Sequence, residues 1–122
     1  MNVVGTDLVS IDRIQKALDR FGERFLRRYL SPEEIRTLSD SPASLAGYWA
    51  AKEAVAKALG CGIGSELAFH EIRLSKTSKG APLFTLGEKA QKRFPVRQSS
   101  LSISHDGGFA IAVVVIELRA ES

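Results

Sequence analysis

Apolar residues change their spacing several times along the chain, and each change marks an element. Val3 to Leu8 mixes β-branched residues with a glycine and a carboxylate, predicting a short strand that delivers Asp7 to its end. From Ser10 to Phe25 the spacing becomes helical, with Ile14, Leu18, Phe21 and Phe25 forming a core-facing stripe. Arg13, Lys16, Arg20, Arg24 and Arg27 follow the same spacing on a neighbouring stripe, continuous if the helix runs through Gly22. Asp12, Asp19 and Glu23 fall off that stripe, so an acidic partner would meet nearly uncompensated positive charge.

Tyr29 to Leu38 predicts a short second helix, opened by Ser31-Pro32-Glu33-Glu34 with Ser as N-cap and Pro at the first helical position. After the turn at Ser39 to Ser44, Ser44 is the expected cap of an Ala-rich helix that stops at Gly60. From Leu67 the period shifts toward two. Phe69 to Leu74 and Pro82 to Leu86 predict a β-hairpin with Lys79-Gly80 near its tip, and Gly87 to Phe94 a short helix ended by Pro95. Leu101 to His105 alternates like a half-buried strand, Asp106-Gly107-Gly108 turns, and Phe109 to Leu118 returns as a very apolar strand, expected to be central or interfacial. Helices and antiparallel strands are largely segregated, which predicts an α+β fold: one domain over residues 1–122, with a small, mostly antiparallel sheet packed on helices.

At 122 residues the chain supports one core and is too short for two ordinary domains. No apolar run reaches the roughly 20 residues that span a bilayer, and Met1 to Ser10 lacks a secretory signal pattern, so a cytoplasmic protein without membrane contact is expected. The single Cys61 cannot form an intramolecular disulfide, and one Cys with two His is too few for a typical zinc site. The net charge of +3 does not demand nucleic acid.

The chemistry concentrates in Trp49 to Gly60, where Glu53 and Lys57 lie one turn apart on an Ala-rich helix. A solvated Glu–Lys pair is the simplest reading. If the fold brings Asp7 to Glu53, two carboxylates plus water suit Mg²⁺, and Lys57 becomes a point charge for a phosphate oxygen. Ser104-His105-Asp106 does not read as a triad, because neighbouring residues on a strand point to opposite faces. Gly60 to Gly64 lacks the Lys and Ser/Thr of a P-loop, though its glycines would let backbone N–H groups approach a phosphate. Two other classes fit parts of the pattern: an interaction module using the basic face, and a nucleic-acid-binding domain, disfavoured by few aromatic residues.

Several motifs occur together and in order: Val4-Gly5-Thr6-Asp7-Leu8-Val9 with Ile11-Asp12-Arg13-Ile14, Ala50-Ala51-Lys52-Glu53-Ala54-Val55-Ala56-Lys57-Ala58-Leu59-Gly60, Gly62-Ile63-Gly64, and Ser102-Ile103-Ser104-His105. On these the chain resembles the holo-acyl-carrier-protein synthase family, the small bacterial type of 4′-phosphopantetheinyl transferase, from about Val3 to Glu117. The resemblance implies Mg²⁺-dependent transfer of phosphopantetheine from coenzyme A to a serine of apo acyl carrier protein, releasing adenosine 3′,5′-bisphosphate, in support of fatty acid biosynthesis. It implies Asp7 and Glu53 as metal ligands, with Glu53 also helping to deprotonate the serine, and Lys57 as a phosphate contact. Gly60 and Gly62 would flank the coenzyme A. It further implies a homotrimer with shared sites, in which the turn carrying Gly80 and Pro82, together with His105, comes from a neighbour and meets the adenosine and its 3′-phosphate. Arg13 and Arg24 match positions that dock the carrier protein. Where many members have Arg-Phe ahead of the Lys-Glu pair, this chain has Tyr48-Trp49, and Cys61 replaces a more usual Thr, leaving an expected site for thiol reagents.

Overall fold

A computed structural model describes residues 1–120, beginning with strand β1 (Asn2–Ser10), whose last residue caps helix α1 (Ile11–Phe21). The Ser10 hydroxyl accepts from the Arg13 N–H at 3.3 Å. Gly22, at φ 62°, ends α1, and helix α2 (Glu23–Tyr29) starts afresh. The single helix expected from Ser10 to Phe25 is therefore two, because a left-handed residue interrupts the hydrogen-bond ladder. Ile14 and Phe25 stay in the core, whereas Phe21, expected beside them, is 47% exposed.

Helix α3 (Pro32–Thr37) opens with a complete capping box between Ser31 and Glu34. Helix α4 (Pro42–Ala58) is capped by Ser41 rather than Ser44: Pro42 suits the first helical position, and the Ser44 N–H donates to Ser41 Oγ at 3.2 Å. In α4, 11 of 17 residues are buried, so the helix is enclosed on nearly all sides and forms the centre of the molecule.

Strands β2 (Ile72–Lys76) and β3 (Pro82–Leu86) make a separate hairpin. Phe69–Glu71, expected in its first strand, is instead a short 3₁₀ turn. After α5 (Glu88–Arg93) come β4 (Val96–Asp106) and β5 (Phe109–Leu118), which complete an antiparallel sheet in the order β1-β5-β4. The apolar final strand is central, as expected. β4 starts earlier than the Leu101 boundary because pairing with β5 recruits its polar beginning, with a register shift between Val96 and Gln98. On β5, Ala110, Ala112, Val114 and Ile116 are buried while Phe109, Ile111, Val113 and Val115 face outward.

α4 reaches the inner face of the sheet through one close approach. A Cβ at Gly5 would overlap the Ala54 carbonyl oxygen and lie 2.8 Å from the Ala58 nitrogen. Gly5→Ala is thus expected to push α4 off β1 and cost about 1–3 kcal/mol, the usual range for overpacking. A urea melt checks this value, and an unchanged midpoint would show that the helix has room to yield.

Candidate active site

Side chains alternate along β1, so Gly5, Asp7 and Val9 face α4 while Val4, Thr6 and Leu8 face away. Asp7 is not at the strand end as expected: β1 continues to Ser10, and the carboxylate projects from within the strand, its side chain only 12% exposed. α4 supplies Trp49, Glu53 and Lys57 at successive turns. Lys57 Nζ donates to Asp7 Oδ1 at 2.8 Å, so the simplest reading, a Glu53–Lys57 pair on the helix, gives way to an ion pair across the fold.

Burial pushes the Glu53 carboxyl above the usual glutamate range, the Asp7 charge adds to the rise, and Lys57 opposes it. The hydrogen bond to Asp7 raises the Lys57 ammonium in turn. A cleft of about 320 Å³ opens beside these groups, with Asp7, Glu53 and Arg13 set among apolar walls that include Ile14, Phe25 and Trp49.

The donor set fits Mg²⁺. Two carboxylates converge, a cation already stands against one of them, and among the described residues no group of three acidic, His or Cys side chains forms a fuller cage. Mg²⁺ favours few protein carboxylates with water and phosphate completing its shell. Because metal ligation needs the ionised carboxylate and Glu53 is raised, Mg²⁺ affinity is expected to fall with decreasing pH sooner than for an ordinary glutamate. Calorimetric titration across pH checks this, and a curve that weakens only in the ordinary glutamate range would contradict it.

The remaining candidates are distributed around this centre. Gly60 and Gly62 follow α4 with φ of 80° and 66°, and their N–H groups donate to Lys57 O and Ala56 O. The Gly64 N–H meets Leu67 O within the following loop, so the first two amides close the end of the helix and the third closes the loop. What the glycines offer is an open surface, since a Cβ at any of the three would meet nothing within 4 Å. Gly80, at φ 86°, lies in the hairpin turn, and Pro82 opens β3. His105 is on edge strand β4, opposite Ala110, and all of β5 separates it from Asp7. Ser104 faces the other side of the sheet from His105, in keeping with the rejected triad.

The cationic row is broken and partly neutralised. Lys16 pairs with Asp12 at 2.9 Å and Arg27 with Glu23 at 3.5 Å, because acids four residues back reach over to them. Arg13 lines the cleft, whereas Arg24 sits exposed on α2, outside the lining residues. Burial and Glu66 push the Cys61 thiol upward, opposite to what a reactive thiolate needs.

Residues 3–114 match the family model of the 4′-phosphopantetheinyl transferase superfamily. The chain belongs to that superfamily. Among curated relatives, the transferase is 58% identical over 117 residues to a holo-[acyl-carrier-protein] synthase of Sulfurovum, covering 96% of this chain and 98% of that one. The crystal structure of the Helicobacter pylori holo-[acyl-carrier-protein] synthase in complex with coenzyme A superposes with a TM-score of 0.90 at 52% identity, covering 93% of this chain and 99% of that chain. The Neisseria meningitidis synthase matches at 0.84 and 36% identity, over 94% and 97%.

Two features of the transferase escape the sequence reading. Lys52, beside Glu53, is fully buried and donates to Glu34 Oε1 at 2.9 Å, to Tyr29 O at 2.6 Å and to Phe69 O at 3.3 Å. Glu34 also accepts from the N–H groups of Ser31 and Leu74, so every hydrogen-bonding demand of the pair is met. Burial lowers the Lys52 ammonium against the pull of Glu34. The available signal was the flanking alanines, which leave Lys52 on an enclosed helix. The second is not the pair Tyr48-Trp49 itself, which the sequence set apart, but its surroundings. Tyr48 is buried and borders a cavity of about 870 Å³ between α3 and β2, while Trp49 packs among Phe25, Tyr29 and Phe69.

Proposed function

We propose that the chain is a holo-[acyl-carrier-protein] synthase that moves 4′-phosphopantetheine from coenzyme A to a serine of apo acyl carrier protein, releasing adenosine 3′,5′-bisphosphate, in the cytoplasm and for fatty acid biosynthesis. The observation that carries this reading is the meeting of Asp7 and Glu53 at one cleft, with Lys57 paired to Asp7, in a chain of this superfamily.

Asp7 and Glu53 would hold Mg²⁺, which when bound offsets the charge of the coenzyme A pyrophosphate. Glu53, its carboxyl raised above the usual glutamate range by burial and the Asp7 charge, accepts the serine proton as the hydroxyl oxygen attacks phosphorus. The bond to the adenosine-bearing phosphate breaks, and that group departs with the electron pair. Lys57, half-exposed on its helix, donates to a phosphate oxygen as charge builds. The apolar walls of the cleft limit water near the reacting hydroxyl.

Arg13, at the cleft, and Arg24, on α2, would receive the acidic carrier protein. Charge reversal at both is expected to raise KM for the carrier by roughly tenfold or more with coenzyme A affinity unchanged. Steady-state kinetics with each substrate varied checks this; equal losses for both substrates would count against a docking role.

The outer sheet face supports assembly with further copies of the chain. Val4, Leu8, Phe109, Ile111, Val113 and Val115 are each at least 38% exposed and adjacent in register across β1 and β5, the kind of contiguous apolar patch that marks an interface. In a homotrimer, His105 and the turn with Gly80 and Pro82 would reach a neighbour's coenzyme A, which suits their separation from Asp7 within one chain. Mixing the inactive Glu53→Gln and His105→Ala proteins would restore activity if the site is shared.

Labelling of apo acyl carrier protein with a fluorescent coenzyme A analogue tests the function. Label that appears with Mg²⁺ and vanishes with chelator is the expected result. Binding of the carrier with no label transferred would favour an interaction module.

A further inference from the structure

We propose that Lys57 is an exchangeable occupant of the Asp7 carboxylate, holding the metal position until Mg²⁺ displaces it and frees its ammonium for the coenzyme A phosphate. This rests on the transfer reading above and assigns Lys57 a second role, before substrate arrives. The ammonium is 2.8 Å from Asp7 Oδ1, the only side-chain hydrogen bond of Lys57 among the described residues. A Mg²⁺ ion bound to a carboxylate oxygen sits at about 2.0–2.1 Å, so an ammonium on the same oxygen would be pressed against a divalent cation at close range.

The two partners differ in freedom. Asp7 is fixed on a paired strand with its side chain 12% exposed, whereas the Lys57 side chain is 52% exposed and can rotate away without opening the core. Glu53, the second carboxylate, makes no side-chain hydrogen bond among the described residues, so Lys57 occupies only half of the donor set. Once displaced, the ammonium lacks an acceptor, and a phosphate brought to the cleft supplies one. Metal entry and phosphate recognition become one linked event, in which each favours the other.

The test uses the full-length protein without coenzyme A. Lysine acetylation by limiting acetic anhydride is followed by mass spectrometry, with exposed Lys89 as the internal reference. Mg²⁺ is expected to raise the Lys57 rate several-fold relative to Lys89, and Asp7→Asn to give the fast rate with or without metal. Calorimetry supplies the second readout: Lys57→Met should bind Mg²⁺ roughly tenfold more tightly than the wild type. Arg13→Met, which removes a cation from the same cleft but not from Asp7, should change affinity far less. Lys57 acetylation indifferent to a bound metal, or equal tightening in both variants, would overturn the exchange while leaving the transfer reading intact. Absence of both metal binding and carrier modification would overturn the two together.

Discussion

Glu53→Gln is expected to remove nearly all transfer activity while leaving the fold unchanged. The substitution keeps shape and volume but takes away the proposed metal ligand and the proposed proton acceptor at once. Loss of a general base alone typically costs 10²–10⁴ in rate, so a drop of roughly that size or larger is expected. Stability should barely move, because Glu53 is only partly buried and joins no hydrogen-bond network among the described residues. Loss of its like-charge contact with Asp7 would offset part of any cost. Turnover measured beside a thermal melt separates the effects: a variant with wild-type rate would remove Glu53 from the chemistry, and one that melts early would make the lost activity uninformative.

The largest expected effect on stability belongs to its neighbour. Lys52→Met leaves the Glu34 carboxylate buried without its cation and strips a donor from the carbonyls of Tyr29 and Phe69. Breaking one side of a buried pair typically costs 3–5 kcal/mol, a large share of the 5–15 kcal/mol that ordinary domains possess. The double variant Lys52→Met/Glu34→Gln should recover part of the loss, since it removes the stranded charge while the Gln oxygen can still accept from a backbone N–H. Denaturant unfolding of the single and double variants checks this. A cost below about 1 kcal/mol for the single change would mean that water reaches Glu34 in place of the lysine.

These two adjacent residues show what the sequence can and cannot disclose. Glu53 stood out because of its spacing to Lys57, joined with Asp7 and the ordered motifs, and the fold brings it to one cleft with Asp7. Lys52 carries the same kind of side chain as Lys57 and sits in the same Ala-rich run, yet it is enclosed where Lys57 is half-exposed and pairs with Asp7. Helical spacing alone does not tell which stripe of an all-round apolar helix meets another element. The strand order, by contrast, was partly legible. The apolar run from Phe109 to Leu118 pointed to a central strand, and it pairs on both edges. The polar start of β4 was hidden because its strand character comes from its partner rather than from its own residues. Gly22 was recognised as the weak point of the first helix, but whether it would break depended on tertiary packing. That break, with the acids at Asp12 and Glu23, turned a continuous cationic row into two helices with a few uncompensated arginines.

Intact mass spectrometry of apo acyl carrier protein, incubated with this protein, coenzyme A and Mg²⁺, tests the central claim most directly. A gain of one phosphopantetheine group, located on a serine and absent with Glu53→Gln or with chelator, is the predicted result. A carrier whose mass stays unchanged while folded wild-type protein, metal and coenzyme A are all present would contradict it.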